Sequence, residues 1–270
     1  MPKRNFKDKT IVITGGASGI GLATALRFAG AGARLGLIDA DGDGLVRCAE
    51  DFLRRGTPVE TVTADVTSQP DCAAAMARII DRFGGIDVLF NNAGITQRGA
   101  FRDTDVSVYH RVMAVNFFGA LYCTKAAIDS LIARRGVIIS NESIAGVAPV
   151  LGRTGYCASK HAMHGLFTAL RSEVRHLGVH VMIVCPGFIR TNLQTRALGC
   201  NGTVTRHPQS HIGRHDTAEN AAEAIFRGAE RERATLVLTP VGKLGFFLSR
   251  FAPGFYERQM TRRLKSELDY

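Results

Sequence analysis

A chain of 270 residues, 46% apolar and 21% charged, is long enough for one large or two small domains and too apolar to be disordered. Its formal charge of +10 gathers in the N-terminal tail and beyond residue 190, without an aromatic-interleaved basic ribbon or a recognition helix, so a nucleic-acid partner is not expected. Six scattered cysteines with no C-x-x-C pair read as reduced thiols of a cytoplasmic protein, and no stretch reaches the roughly 18 apolar residues of a membrane span.

Strand and helix patterns alternate without a Pro/Ser-rich linker to about residue 238, which predicts one α/β domain over 1–240 and an extension over 241–270. Thr10-Ile11-Val12-Ile13-Thr14 is a β-branched strand. It runs into Gly15-Gly16-Ala17-Ser18-Gly19-Ile20-Gly21 and then a helix marked by Leu22, Ala25, Leu26 and Ala29. Glycines in such a turn let the backbone approach a pyrophosphate at the helix N-terminus, where free N–H groups point at the anion. Residues 33–38 form a second strand ending in Asp39. This acid either accepts the ribose hydroxyls of an adenosine or caps the helix that begins near Asp41. A helix over 43–55 and an alternating third strand over 59–63 lead to Asp65-Val66, after which Thr67 or Ser68 caps a helix over 70–83.

The fourth strand, 86–90, carries Asn91-Asn92-Ala93-Gly94 at its carboxyl end. Residues 105–134 read as one long helix containing Asn116, a poor interior helix residue because its amide competes for backbone hydrogen bonds. A fifth strand over 136–140 precedes Ser143, and the turn-rich loop 144–155, with Gly146, Pro149, Gly152 and Gly155, should line a substrate cleft. Helix 156–177 opens with Tyr156 and Lys160, four apart and on one face. An ammonium beside a phenol favours the phenolate, and a hydroxyl from Ser143 can bond the same substrate oxygen. The sixth strand, 179–184, ends in the turn Pro186-Gly187, followed by Phe188, Ile189, Arg190 and Thr191. Residues 192–214 are irregular. His207, His211 and His215 recur every fourth residue there, but Pro208 and Gly213 break a helix and no carboxylate or thiolate joins them, so no metal site is expected. His161 and His164 read as core or interface residues. A helix over 216–231 and a strand over 235–238 close the sheet.

Thr14-Gly15-x-x-x-Gly19-x-Gly21, Asn91-Asn92-Ala93-Gly94, Asn116, Ser143 and Tyr156-x-x-x-Lys160 together, in this order and spacing, closely resemble the short-chain dehydrogenases/reductases over roughly residues 6 to 240. The resemblance implies a Rossmann-type, doubly wound parallel sheet of seven strands in three α/β/α layers. It also implies hydride transfer between NAD(H) and a secondary alcohol or ketone, with Asn116, Ser143, Tyr156 and Lys160 as catalytic residues. Gly15, Ser18, Gly19, Ile20 and Gly21 would hold the pyrophosphate, Asp39 the ribose, and Asp65 with Val66 the adenine. Asn92, Ala93 and Gly94 would flank the second ribose, which Lys160 also holds. Pro186 and Gly187 would run under the nicotinamide, and Ile189 and Thr191 would contact its carboxamide or phosphate. Asn116 would mark a helix irregularity serving a proton path, where the plainer reading is a satisfied polar core residue. Residues 192–214 would form a lid. NAD is expected over NADP, because Asp39 repels a 2′-phosphate and Ala17, Ser18 and Ala40 offer no cation. A homodimer or homotetramer is expected. An epimerase or dehydratase that uses the nicotinamide transiently, and a non-catalytic NAD-binding regulator, are the alternative classes.

Beyond the resemblance, Leu244, Phe247, Leu248 and Phe251 recur at i, i+3, i+4 and i+7 until Pro253-Gly254. A second basic segment follows with Tyr256, Met260 and Leu264 on one side. Such an arm either lies on an anionic membrane surface or packs on its own subunit or a partner and walls the cleft. Both readings point to a bulky, steroid-like or lipid-like substrate.

Overall fold

The structure is a computed structural model that describes residues 3–207, 210 and 215–268. Seven strands, β1 (Thr10–Thr14), β2 (Arg34–Asp39), β3 (Val59–Thr63), β4 (Val88–Asn91), β5 (Val137–Asn141), β6 (His180–Cys185) and β7 (Thr235–Val237), form one parallel sheet in the order β3-β2-β1-β4-β5-β6-β7. Parallel strands carry helices on both faces, so the central ones are near-continuous apolar runs, as Ile11-Val12-Ile13 and Val137-Ile138-Ile139 are. Helices α1 (Gly19–Ala29), α2 (Gly42–Arg54) and α7 (Ala218–Glu230) cover one face, where Phe28, Phe52 and Phe226 are buried. On the other, α3 (Gln69–Phe83), α5 (Gly119–Arg134) and α6 (Thr154–Val174) bury Ile79, Leu131 and Phe167. The chain winds outward from β1 in both directions, and the break in order between β1 and β4 opens a crevice at the carboxyl ends of the strands.

Where Thr67 and Ser68 competed as the cap of α3, the Ser68 hydroxyl takes the Asp71 amide at 3.3 Å. The long helix expected over 105–134 is three pieces: α4 (Val106–Met113), a π-helical turn Ala114–Phe118, and α5. Across the turn the Gly119 amide bonds the Ala114 carbonyl, five residues back. The extension folds as α8 (Pro240–Phe251), capped by Thr239, and α9 (Pro253–Leu264), and Pro253 begins the second helix rather than merely ending the first. The apolar stripe of α8 divides: Leu244 and Leu248 line the central cavity, whereas Phe247 and Phe251 face out, their rings 4.6 Å apart. All six cysteines are free, and among the described residues no helix is long and apolar enough to cross a membrane.

Candidate active site

One cavity of about 720 Å³ runs from the glycine turn across the crevice to the C-terminal arm. Its wall contains Gly15, Ser18, Gly19, Ile20, Asp39, Asp65, Val66, Asn92, Ala93 and Gly94 at one end. Ser143, Tyr156, Lys160, Pro186, Gly187, Ile189 and Thr191 stand further along it. Two expected residues are not on the wall. Gly21 is buried beneath the turn, where a Cβ would stand 2.1 Å from the Gly15 carbonyl oxygen, so any side chain would force the turn apart. Asn116 is fully buried in the π-turn.

The first wall is set by hydrogen bonds that leave its shape no freedom. Thr14 Oγ1 accepts from the Asn92 and Ala93 amides at 3.0 Å each, and Asn92 Nδ2 donates to the Thr14 and Gly15 carbonyls, also at 3.0 Å. Asn141 Nδ2 completes the tie by donating to Asn92 Oδ1 at 2.9 Å. The ends of β1, β4 and β5 are thus one unit. Asp39 accepts from the Ala17 amide at 3.0 Å and the Asp41 amide at 3.1 Å, while the cap of α2 is Asp41, which takes the Gly44 amide at 2.9 Å. Asp39 therefore shapes the pocket floor and is not the helix cap. Asp65 accepts from the Thr67 amide at 2.9 Å and lines the cavity.

At the second wall, Ser143 follows β5 and accepts from the Ala145 amide at 3.1 Å, and its hydroxyl works to lower the Tyr156 phenol. Lys160 is 3% exposed; its Nζ donates to the Asn141 carbonyl at 2.9 Å and stands 5.8 Å from the Tyr156 ring centre. A Cβ on Gly94 would lie 3.2 Å from Asn116 Oδ1 and 3.6 Å from Lys160 Nζ, so a side chain there would crowd the asparagine and touch the lysine. The Asn116 amide is saturated: it accepts from the Ile95 amide at 2.8 Å and donates to the Ile95 carbonyl at 3.0 Å and Ser159 Oγ at 2.9 Å. Asn116 is a satisfied polar core residue, and it lies within the expected helix irregularity.

Burial pushes the Lys160 ammonium down to about 8, against the pull of the Glu142 charge. The Tyr156 phenol departs from expectation. Burial raises it, and the influences that lower it are the Ser143 hydrogen bond and the Arg153 guanidinium, not Lys160. Three participants were missed in the sequence. Asn141 offers Lys160 its carbonyl, and backbone acceptors leave no mark in a motif. Glu142, 2% exposed beside Ser143, meets His164 Nδ1 at 3.0 Å, so the half-buried His164 partners a buried carboxylate rather than serving as a simple core residue. Arg153, one turn before Tyr156, is 5% exposed and lines the cavity. Of the histidine series, His207 Nε2 meets the Ser266 carbonyl at 3.0 Å, His211 lies outside the described residues, and among those described no cluster could hold a metal.

A doubly wound parallel sheet with a glycine turn at β1 and an acid closing β2 defines the Rossmann class of dinucleotide-binding folds. Residues 9–198 match the family described as short chain dehydrogenase. The chain is 34% identical over 269 residues to dehydrogenase/reductase SDR family member 7B of Bos taurus, covering 97% of this chain and 83% of that one. It is 35% identical over 227 residues to 2-(S)-hydroxypropyl-CoM dehydrogenase 3 of Xanthobacter autotrophicus, covering 82% and 89%. A crystal structure of a short-chain dehydrogenase/reductase from Burkholderia phymatum in complex with NAD shares the fold, with a TM-score of 0.84 at 24% identity over 93% of this chain and 96% of that one. The chain belongs to the short-chain dehydrogenase/reductase family of oxidoreductases.

Proposed function

We propose that this protein oxidises a bulky apolar secondary alcohol, or reduces the matching ketone, with NAD(H) as the hydride carrier. The observation that carries the proposal is the continuity of one cavity from the Gly15–Ile20 turn and Asp39, past Ser143, Tyr156 and Lys160, to an apolar wall made by Leu244, Leu248, Met260 and Leu264. The cofactor fits the residues present: an open helix N-terminus for the pyrophosphate, Asp39 for the ribose, and Lys160 with Gly94 for the second ribose. When bound, it supplies or accepts the hydride. In the oxidation, Tyr156 Oη takes the hydroxyl proton while Ser143 donates a hydrogen bond to the same oxygen, and the carbinol carbon becomes a carbonyl as its hydride leaves. Lys160 keeps a positive charge behind the ribose site, and the π-turn at Asn116 fixes the loop that Lys160 abuts. A panel of apolar secondary alcohols, followed by NADH absorbance, tests the reading; failure of every member to reduce NAD would reject it.

Cofactor preference follows from Asp39. Arg34 lies at the opposite end of β2 and donates to the Asp8 carbonyl, so it is not placed to rescue a 2′-phosphate. Efficiency with NAD should exceed that with NADP by roughly 100-fold, since about 1.4 kcal/mol is tenfold and charge repulsion at a partly desolvated site costs a few kcal/mol. Asp39→Ser should narrow the ratio at least about tenfold. Equal efficiencies in the unaltered protein would refute this role of Asp39.

Glu142 supplies the second expectation. Its own carboxyl is raised by burial, against the pull of His164, Lys160 and Arg171, and its charge holds the Lys160 ammonium up. In Glu142→Gln that support is gone, so Lys160 loses its proton at lower pH than about 8. The alkaline fall in turnover should then move to lower pH by roughly one pH unit, with the Kd for NADH measured alongside. A profile that keeps its position while activity drops uniformly would assign Glu142 to packing alone.

A further inference from the structure

Arg153 is the last residue before α6, a buried cation that forms no ion pair among the described residues. Its Nη1 reaches Gln194 Oε1 at 3.4 Å, and its Nε has no partner. The carboxylate whose field reaches it is that of Glu267. Glu267 is already taken: Oε2 accepts from Arg98 Nε at 3.1 Å, and Oε1 accepts from Arg98 Nη2 at 3.2 Å and from the Ser210 amide. Two buried guanidiniums therefore share one buried carboxylate. Buried charges are as a rule paired, because an ion withdrawn from water with no counter-ion costs several kcal/mol.

The surroundings add to the imbalance. Arg196 and Arg263 stand on the same cavity wall, both exposed and both positive. Three acids among the described residues reach that wall. Asp39 and Asp65 are at the adenosine end, and Glu142 is paired with His164. Arg153 also stands at the N-terminus of α6, the positive end of its dipole. Across the cavity, the arm offers Leu244, Leu248, Tyr256, Met260 and Leu264.

Resting on the oxidoreductase reading above, we propose that the substrate is amphipathic, with an oxyanion (carboxylate, sulfonate or phosphate) held by Arg153 and an apolar tail laid against α8 and α9. Because Arg153 and Tyr156 share the first turn of α6, the anionic group and the reacting carbinol belong to the same end of the molecule. A guanidinium suits this task, since it offers paired N–H donors to two oxygens of one anion.

The test uses the full chain and two readouts. In turnover with NAD, β-hydroxydecanoate should be preferred over its methyl ester by about tenfold or more in kcat/KM, carried by KM. Arg153→Gln should abolish that preference, KM rising for the acid only while any fall in kcat from the lost charge beside the Tyr156 phenol is shared by acid and ester, and Arg153→Lys should keep part of the preference. In the absence of any nicotinamide, decanoate or decyl phosphate should raise Tm where decanol at the same concentration does not, and the stronger of the two anions names the headgroup. Anion-dependent stabilisation without turnover of any alcohol would uphold the anion site and reject the oxidoreductase reading. Equal kcat/KM for acid and ester in the unaltered protein would overturn the proposal, even if neither Arg153 variant folds. So would an Arg153→Gln variant that keeps the preference for acid over ester while slowing both, which would assign the guanidinium to the Tyr156 phenol alone.

Discussion

Tyr156→Phe should lower turnover by roughly 10²–10⁴-fold, the range attached to a positioned general acid or base, while NADH binds as before. The substitution deletes one oxygen from a side chain that is 7% exposed and leaves the ring's packing against Ala145 and Cys157 intact. In the resting molecule burial holds the phenol above its ordinary value of 10.0, and the Ser143 hydrogen bond and the Arg153 charge work against that rise. On the proposed mechanism these two groups are the ones that ease proton transfer at neutral pH. Ser143→Ala should cost less than Tyr156→Phe, because it removes one support for the phenol and leaves the proton acceptor in place. Turnover by the Phe variant within about tenfold of the unaltered protein would show that another group moves the proton.

The strands were legible because a parallel strand buried on both faces has only one way to be written, as an unbroken apolar run, and β1, β5 and β6 are such runs. The glycine turn was legible for a related reason. Gly15 takes φ +64° and Gly21 has no room for a Cβ, so both demands fall on residue type and show in the letters. Pairings over long sequence separations were not. Arg98 and Glu267 are 169 residues apart, and neither letter announces a buried partner. The stripe of α8 shows the same limit from another side: periodicity tells which residues share a face, but not that Leu244 and Leu248 would meet the cavity while Phe247 and Phe251 would not. The π-turn at Asn116 was half visible. An asparagine inside a helix marks strain, yet the extra residue that breaks the helix is a matter of hydrogen-bond count, which no spacing of side chains reveals.

Glu267→Ala should release the C-terminal arm and, with it, the apolar wall of the cavity. The carboxylate is 1% exposed and holds Arg98, itself 2% exposed, through two bonds; removing one partner of a buried pair typically costs about 3–5 kcal/mol, because the other charge stays behind unpaired. Here the Arg153 guanidinium loses the support of that carboxylate as well. The remaining ties of the arm are weaker: Tyr256 Oη to the Pro149 carbonyl at 3.0 Å, Ser249 Oγ to the Val147 carbonyl at 3.3 Å, and Ser266 to His207 and Ser210. Hydrogen exchange should therefore lose protection over residues 240–268 while the sheet keeps its own, since stability is spread unevenly across a fold. KM for large apolar substrates should rise with little change in the Kd for NADH, whose proposed wall lies at the ends of β1, β2 and β4. Acid should mimic the variant. Burial pushes the Glu267 carboxyl up, but the bonds from Arg98 and the Ser210 amide outweigh it and leave it below its ordinary 4.5. A carboxyl lowered in this way stabilises the fold above the unfolded value, and that contribution is lost as pH falls through the folded one, so the arm should open before the sheet does. Full protection of residues 240–268 in Glu267→Ala at neutral pH would show that helix packing alone holds the arm and that the buried pair serves only the charge balance around Arg153.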